Sequence, residues 1–391
     1  MDIGLDRTEP EHIRMLRTTI RRFLDKEAPR ERMAAWDEQD KVPRALFDRI
    51  VELGVCGMTV PEEYGGSGRD ILGAMVTVEE LSRRSMVIGT LFLMNACYGS
   101  MNIHASASEA QKRLLLPKLA NGELLFAYGL SEPNVGSDLA SVQTRAERRG
   151  DRVVINGAKR WCSGADIADY IYLLVRSGEP GKRYGNLSII LVPPSTPGIK
   201  LTHIPAMGAR GLTTNDATFD DVEVPFANVV GEEDGWNNGW ARLAGPALDV
   251  EKLEVAAMAL GIAAAAVEDA WNYSQQRVQF GKRICSIQSI RHMLSDVQTK
   301  LLTCRLLLYH GCNLADQNLP CSAETSMAKM FICETGADIV LTCQRIMGAY
   351  GYARGFDMER YVRDMLLMPI IGGSTAIQKN NIANRLGLPR E

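Results

Sequence analysis

A carboxylate close to the start of a long helix is the first residue in this chain whose placement suggests chemistry. Glu251 lies in Ala247-Leu248-Asp249-Val250-Glu251-Lys252-Leu253, where Pro246 and Asp249 mark a helix start and an alanine-rich run carries the helix onward. Such a glutamate either complements the positive end of the helix dipole or, aimed at a substrate, acts as a general base. A second segment, Ser131-Glu132-Pro133-Asn134-Val135-Gly136-Ser137-Asp138, lets a backbone approach something flat or phosphorylated, with the Ser131 and Ser137 hydroxyls alongside. A plain turn is the alternative for that string alone. Arg277, in Arg277-Val278-Gln279-Phe280-Gly281-Lys282, is either a diphosphate clamp or a helix-end arginine that holds terminal carbonyls.

Together with Pro369-Ile370-Ile371-Gly372-Gly373-Ser374-Thr375-Ala376-Ile377-Gln378, which follows Arg363-Asp364, these stretches resemble the acyl-CoA dehydrogenase family over nearly the whole chain. In most of that family the catalytic glutamate occupies the position of Gly372. The isovaleryl-CoA and long-chain branches carry it at the position of Glu251, and Leu-Asp-Val-Glu-Lys-Leu here is similar to their Leu-Asp-Leu-Glu-Arg-Leu. Glycine at 372 keeps the backbone N–H that polarises the thioester carbonyl but cannot be the base, so the resemblance makes Glu251 the catalytic residue.

The same resemblance implies FAD as cofactor. The Tyr128 to Ser137 segment, including Leu130, Ser131 and Gly136, and the segment Trp161-Cys162-Ser163 are similar to the flavin site. Leu130 and Ser131 would meet the pyrimidine side of the ring, Trp161 would cover one face, Ser163 would lie near N5, and Ser374 and Ala376 would flank the cofactor. Arg277, Phe280 and Gln288 match the segment that reaches the ADP half of FAD on a neighbouring subunit, which implies a homotetramer built as a dimer of dimers. Near the adenosine end the pattern departs from the family: Arg345 stands where glutamine is usual, and Ala349 follows Gly348 where a second glycine is usual. Ser137, Asp249, Lys252, Gly372 and Gly373 would contact the acyl-CoA, with a lysine at 252 in place of the more frequent arginine. The smallness of Gly372, Gly373 and Ala349 suggests room beside the acyl Cα for a branched or bulky group.

The implied reaction is FAD-dependent dehydrogenation of an acyl-CoA to the trans-2-enoyl-CoA, as in fatty acid metabolism, with electrons passed to an electron-transfer flavoprotein. Alternatives are an enoyl-CoA reductase running the same site backwards, a prolyl-type dehydrogenase of carrier-protein thioesters, a nitroalkane oxidase, and a flavin binder without catalysis.

These residues need a scaffold, and the chain supplies three kinds of segment. Apolar residues recur at helical spacing from Glu9 to about Arg32, around Leu46 to Leu53, from Ile71 to Arg84 and from Met86 to His104. Short runs bounded by Gly, Pro and Asp follow at 153–157, 171–175, 187–192 and 216–219 and read as strands. The helical period resumes at 248–275, 287–316, 323–347 and 377–386. The fold class is therefore α+β: an N-terminal helical domain (1–122), a central β domain (123–232) and a C-terminal domain (233–391) that the resemblance makes a four-helix bundle.

Composition narrows the function classes. A net charge of -3 with no dense basic stripe excludes nucleic acid as an expected partner, and Arg148-Arg149 reads as a solvated face. Nine scattered cysteines without a C-x-x-C pair indicate a reducing compartment, hence the cytoplasm. The five isolated histidines offer no metal constellation. The acidic start, Met1 to Asp6, shows no signal or transit peptide, and the alanine-rich stretch from Ala256 to Val267 is too short to span a bilayer.

Overall fold

The computed structural model describes residues 9–179 and 183–389, with the side chains of residues 246 and 247 excepted. The expectation concerning Met1 to Asp6 lies outside the described residues. Seven helices come first: α1 (Glu11–Glu27), α2 (Arg30–Gln39), α3 (Ala45–Val51), α4 (Ile71–Arg84), α5 (Met86–Asn95), α6 (Asn102–Ser106) and α7 (Glu109–Ala120). The helix expected from Glu9 to Arg32 is broken at Pro29, which cannot continue α1. Local chemistry sets several of the starts. Asp70 Oδ1 accepts from Gly73 N at 2.7 Å to cap α4, and Ser108 and Gln111 form a capping box on α7. Between α5 and α6 the chain makes a π-helical turn over Ala96–Met101. Met86–Ser106, rather than the alanine run, is the stretch long and apolar enough to cross a bilayer among the described residues, but 89% of its most apolar window is buried within the protein.

The middle of the chain is one seven-stranded sheet: β1 (Phe126–Gly129), β2 (Arg145–Arg149), β3 (Arg152–Ser163), β4 (Tyr170–Arg176), β5 (Leu187–Val192), β6 (Ile199–His203) and β7 (Thr214–Pro225). The order is β1-β4-β2-β3-β7-β6, with β5 added to β4. β1 pairs parallel to β4, while β3 and β7 form the long antiparallel ribbon. The Arg148-Arg149 pair belongs to β2 and is exposed, as expected of a solvated face; there Arg148 holds Glu233 through two surface bonds of 2.8 and 2.6 Å and lies 3.7 Å over the Phe226 ring.

Two short helices, α8 (Glu232–Gly235) and α9 (Gly239–Leu243), lead into α10 (Pro246–Gln276). The hairpin β8 (Val278–Gln279) and β9 (Lys282–Arg283) then precedes α11 (Gln288–Asp316), α12 (Ser322–Met347), α13 (Met358–Met365) and α14 (Thr375–Arg385). The run of buried alanines on α10, from Ala256 to Ala270, keeps that helix thin enough to pack against α4 on one side and α12 on the other. Gly261 marks the closest crossing, since a β-carbon there would sit 2.2 Å from the Glu79 carbonyl of α4. A buried ion cluster locks α1, α4 and α11 together. Arg17 reaches Glu79 at 2.8 Å and Glu80 at 2.5 Å, and Arg305 reaches Glu79 at 2.6 Å. Burial is the largest single influence on the Glu79 carboxyl and raises it, but the two guanidiniums together outweigh it and hold the group down to about 2.

Candidate active site

Pro246 at the first position starts α10, so the acid of its first turn is Asp249 and Glu251 lies beyond that turn. Its surroundings are not those of a dipole-complementing surface acid. Burial pushes the Glu251 carboxyl up to about 7, only partly offset by Lys252 and by a hydrogen bond from Tyr128. The direction of that hydrogen bond follows from its neighbours. Asn102 Nδ2 donates to the Tyr98 carbonyl at 3.1 Å, which identifies it as the amide nitrogen, and donates to Tyr128 Oη at 2.7 Å. The phenol oxygen thus accepts from Asn102 and its own proton is free for Glu251. Tyr98 stacks on Tyr128 with centroids 4.1 Å apart and an interplanar angle of 23°.

A second carboxylate, absent from the sequence expectations, sits three residues further along α10. Glu254 is 2% exposed and accepts a hydrogen bond from the Cys97 thiol, while its Oε2 has no partner among the described residues. Burial and the neighbouring Glu251 raise it well above the usual carboxylate range. The π turn is what brings Cys97 and Tyr98 here, and such turns recur at functional sites. Burial and these two acids push both the Tyr98 and Tyr128 phenols up.

Gly372 packs against the same helix one turn further on. Its φ is +59°, and a β-carbon on it would lie 2.7 Å from Val255 Cγ2. The Gly372 carbonyl accepts from Gln378 Nε2 at 3.0 Å and that of Gly373 does so at 2.9 Å, whereas the Gly372 N–H meets no acceptor among the described residues. These facts correct the expected roominess. The space beside Gly372 is filled by Val255, and Ala349 is exposed past the far end of α12, roughly 40 Å by helix rise from Ser322 at its start. Lys252 is corrected as well: rather than facing a ligand it is buried, donating to Asp249 at 2.7 Å and to the Ser322 carbonyl and hydroxyl at 3.3 Å.

The loop after β1 is held from beneath. Lys159 is fully buried and donates to Glu132 at 2.8 Å and to the Leu130 carbonyl at 3.1 Å, and Glu132 also accepts from the Gln143 and Thr144 amides. The Ser131 carbonyl accepts the Arg160 amide at 2.8 Å, the Ser131 hydroxyl meets no partner among the described residues, and Gly136 and Ser137 are exposed. Between Lys159 and Cys162 the register of β3 on β7 shifts, and Trp161 in this bulge takes φ +64° and is 55% exposed. A core tryptophan is thereby excluded. The exposed indole beside an anchored loop is what a flat ring system requires, so the residues present fit a flavin. Ser163, on the same edge, is bonded to Thr214 at 2.9 Å. Cys162 is the exception: its side chain lies in the β core, where burial raises the thiol to about 12, so only its backbone can face a ligand.

Arg277, Phe280, Gln288, Arg345, Gly348 and Ala349 gather at the opposite end of α10 and α12. Arg277 stands 5.4 Å from the Tyr350 ring centroid, and Phe280 on the hairpin tip is 91% exposed at φ +54°. Gln288, Arg345, Gly348 and Ala349 are exposed, as is Ala376 on the last helix, while Ser374 is half-buried before it. One chain therefore presents two clusters at opposite ends of its longest helices, and these do not converge on each other.

Family models match the chain as the N-terminal (residues 10–123), middle (127–222) and C-terminal (237–387) domains of acyl-CoA dehydrogenase. An acyl-CoA dehydrogenase of Bacillus subtilis is 34% identical over 95% of this chain and 97% of its own. The benzylmalonyl-CoA dehydrogenase of Aromatoleum aromaticum is 35% identical with the same coverage of both chains. Among solved structures, butyryl-CoA dehydrogenase from Megasphaera elsdenii superposes with a TM-score of 0.92 at 28% identity, over 99% of this chain and all of that one.

Proposed function

Because the chain belongs to the acyl-CoA dehydrogenase family, whose members are FAD-dependent oxidoreductases, we propose that it converts a saturated acyl-CoA to the trans-2-enoyl-CoA with Glu251 as base. The observation that carries this reading is a carboxyl poised at about 7, held by Tyr128, on the helix that also packs against Gly372. A base whose pKa lies near the working pH combines an available unprotonated form with useful proton affinity.

Glu251 takes the proton from Cα. The uncommitted Gly372 N–H donates to the thioester carbonyl and so stabilises the negative charge that builds on its oxygen. Tyr128 keeps the Glu251 carboxylate oriented while Asn102 fixes Tyr128. Bound FAD supplies the acceptor for the hydride that leaves Cβ. Leu130, Ser131, Ser137, Trp161 and Ser163 would hold its flavin end, and Asp249 the pantetheine arm. Arg277, Phe280 and Gln288 would hold the ADP half of a cofactor seated on a second copy, since the two clusters of one chain stand too far apart to share a dinucleotide. This supports a homo-oligomer, read as a dimer of dimers. Electrons would leave to an electron-transfer flavoprotein, and the nine unpaired thiols suit the cytoplasm.

The test is anaerobic mixing of the holoenzyme with a panel of acyl-CoAs while the flavin absorbance is followed. Bleaching with wild type and its loss in Glu251→Gln with FAD retained is the expected result. Near-normal bleaching in Glu251→Gln would overturn the base, and no bleaching with any thioester would overturn the dehydrogenase.

A further inference from the structure

We infer that Gln378 is a positioning residue for the reaction: its side-chain amide holds the double-glycine loop so that the Gly372 N–H faces the thioester carbonyl. The inference rests on the dehydrogenase reading, in which that N–H polarises the carbonyl, and deepens it. Gly372 at φ +59° and Gly373 at φ +79° are adjacent and both left-handed, so this stretch of the site has the most backbone freedom to lose. Gln378 removes it. Its Nε2 donates to the Gly372 carbonyl at 3.0 Å and to the Gly373 carbonyl at 2.9 Å, and the residue is 1% exposed. Two carbonyls can be met only by the NH2 end, so the pair fixes which way the amide faces, and turning it would set Oε1 against both oxygens. Oε1 itself meets no partner among the described residues.

Helix capping does not account for these bonds. Gln378 closes the first turn of α14, its own N–H reaching the Ser374 carbonyl at 2.9 Å. The orphan groups of that turn are N–H donors in need of acceptors. The Gln378 side chain instead donates, and to carbonyls that precede the helix. The other end of the loop is tied as well. The Pro369 carbonyl accepts from Thr375 N at 3.0 Å and from Nζ of Lys329, a fully buried residue of α12, at 3.4 Å. Thr375 Oγ1 donates to Glu334 of the same helix at 2.5 Å. Between the two ties lie only Ile370 and Ile371, and Ile371 packs against the helical core. The chain from Pro369 to Gly373 is thus a short bridge pinned at both ends, and the unpaired Gly372 N–H is aimed by the bonds its neighbours make. Misplacing by about 1 Å a group that acts on the transition state costs about 100-fold in rate, and that is how Gln378 bears on the reaction without touching the substrate.

The experiment compares wild type with Gln378→Met and Gln378→Glu, all loaded with FAD, in stopped-flow flavin reduction by an acyl-CoA that bleaches wild type. Both variants keep the length of glutamine and lose its amide donor. The limiting rate is expected to fall about 10- to 100-fold while the apparent Kd of the acyl-CoA changes less than about 3-fold, the pattern of an interaction made in the transition state. A purely structural role would not move the second readout, the infrared carbonyl stretch of bound 2-enoyl-CoA isotope-labelled at the carbonyl carbon. Wild type should lower that stretch relative to the free thioester, and both variants should return it towards the free value. A third variant reaches the same amide from the backbone: a β-carbon at Gly373 would lie 2.7 Å from Gln378 Nε2, so Gly373→Ala should reproduce both changes where position 378 tolerates no substitution. An unchanged rate, a rise in Kd alone, or a slower rate with an unmoved stretch overturns the inference and leaves the dehydrogenase intact. A wild-type stretch equal to that of the free thioester overturns it together with the Gly372 donor. Absence of bleaching with every thioester removes the dehydrogenase reading on which it rests.

Discussion

Gly372 and Val255 are mutually exclusive with a side chain at 372: a β-carbon there would approach Val255 Cγ2 to 2.7 Å, on a backbone whose φ of +59° already disfavours any L side chain. A side chain at 372 is thus disfavoured twice over, and under the proposed function the carboxylate is that of Glu251, one turn earlier on α10. Glu251→Gln should slow flavin reduction by about 10²- to 10⁴-fold. Adding Gly372→Glu to that variant should not restore the rate, whereas adding Val255→Ala as well should recover a measurable part. Stopped-flow reduction of the three proteins checks this.

The pH dependence follows from the same carboxyl. Only its ionised form accepts the Cα proton, so the reduction rate should rise with pH through an apparent pKa of about 7. Tyr128 favours the ionised form through its hydrogen bond, so Tyr128→Phe should move this limb to higher pH. A shift to lower pH in that variant would show that the bond has the opposite sense.

Stability carries the reverse sign. A carboxyl raised from 4.5 in the unfolded chain to about 7 in the folded one binds its proton more tightly when folded. Its favourable contribution is complete below the unfolded value and is lost as pH rises through about 7. Glu251→Gln should therefore have a higher Tm than wild type at pH 8, with the difference closing towards pH 4, as thermal melts of the two proteins would show.

Lys159→Met leaves Glu132 buried without its cation. The expected cost is about 3–5 kcal/mol of stability, together with weaker flavin retention, because the strap under the Ser131 to Asp138 loop is gone. Denaturant unfolding of the apoprotein and flavin release from the holoprotein separate the two effects.

Thiol chemistry offers a simple check on packing. Eight of the nine cysteines are buried and Cys285 alone is half-buried. A native-state thiol titration should find one reactive group and a denatured one should find nine, with Cys285→Ser abolishing the native reaction.

Much of the scaffold was legible. The long C-terminal helices fall within two residues of the expected bounds at each end because their apolar period is unbroken. The strands β1, β2 and β6 escaped for physical reasons. β2 reads Arg-Ala-Glu-Arg-Arg and buries only Ala146, β6 lies at the sheet edge with no buried residue, and β1 is hidden in a segment that carries motif residues. In the site, Glu251 stood out through its context and its family match. Glu254 did not, since an acid on an alanine-rich helix reads as solvated until the π turn is folded over it. Trp161 was placed by motif, but its exposure comes from a bulge between β3 and β7, a pairing that spans strands distant in sequence.

The Glu132–Lys159 anchor is made wholly within one chain, between a loop and the strand beneath it. The proposed receptor for the ring system should accordingly keep its shape when empty. Reloading stripped protein with cofactor should then be a docking event, limited by encounter rather than by rearrangement of the polypeptide.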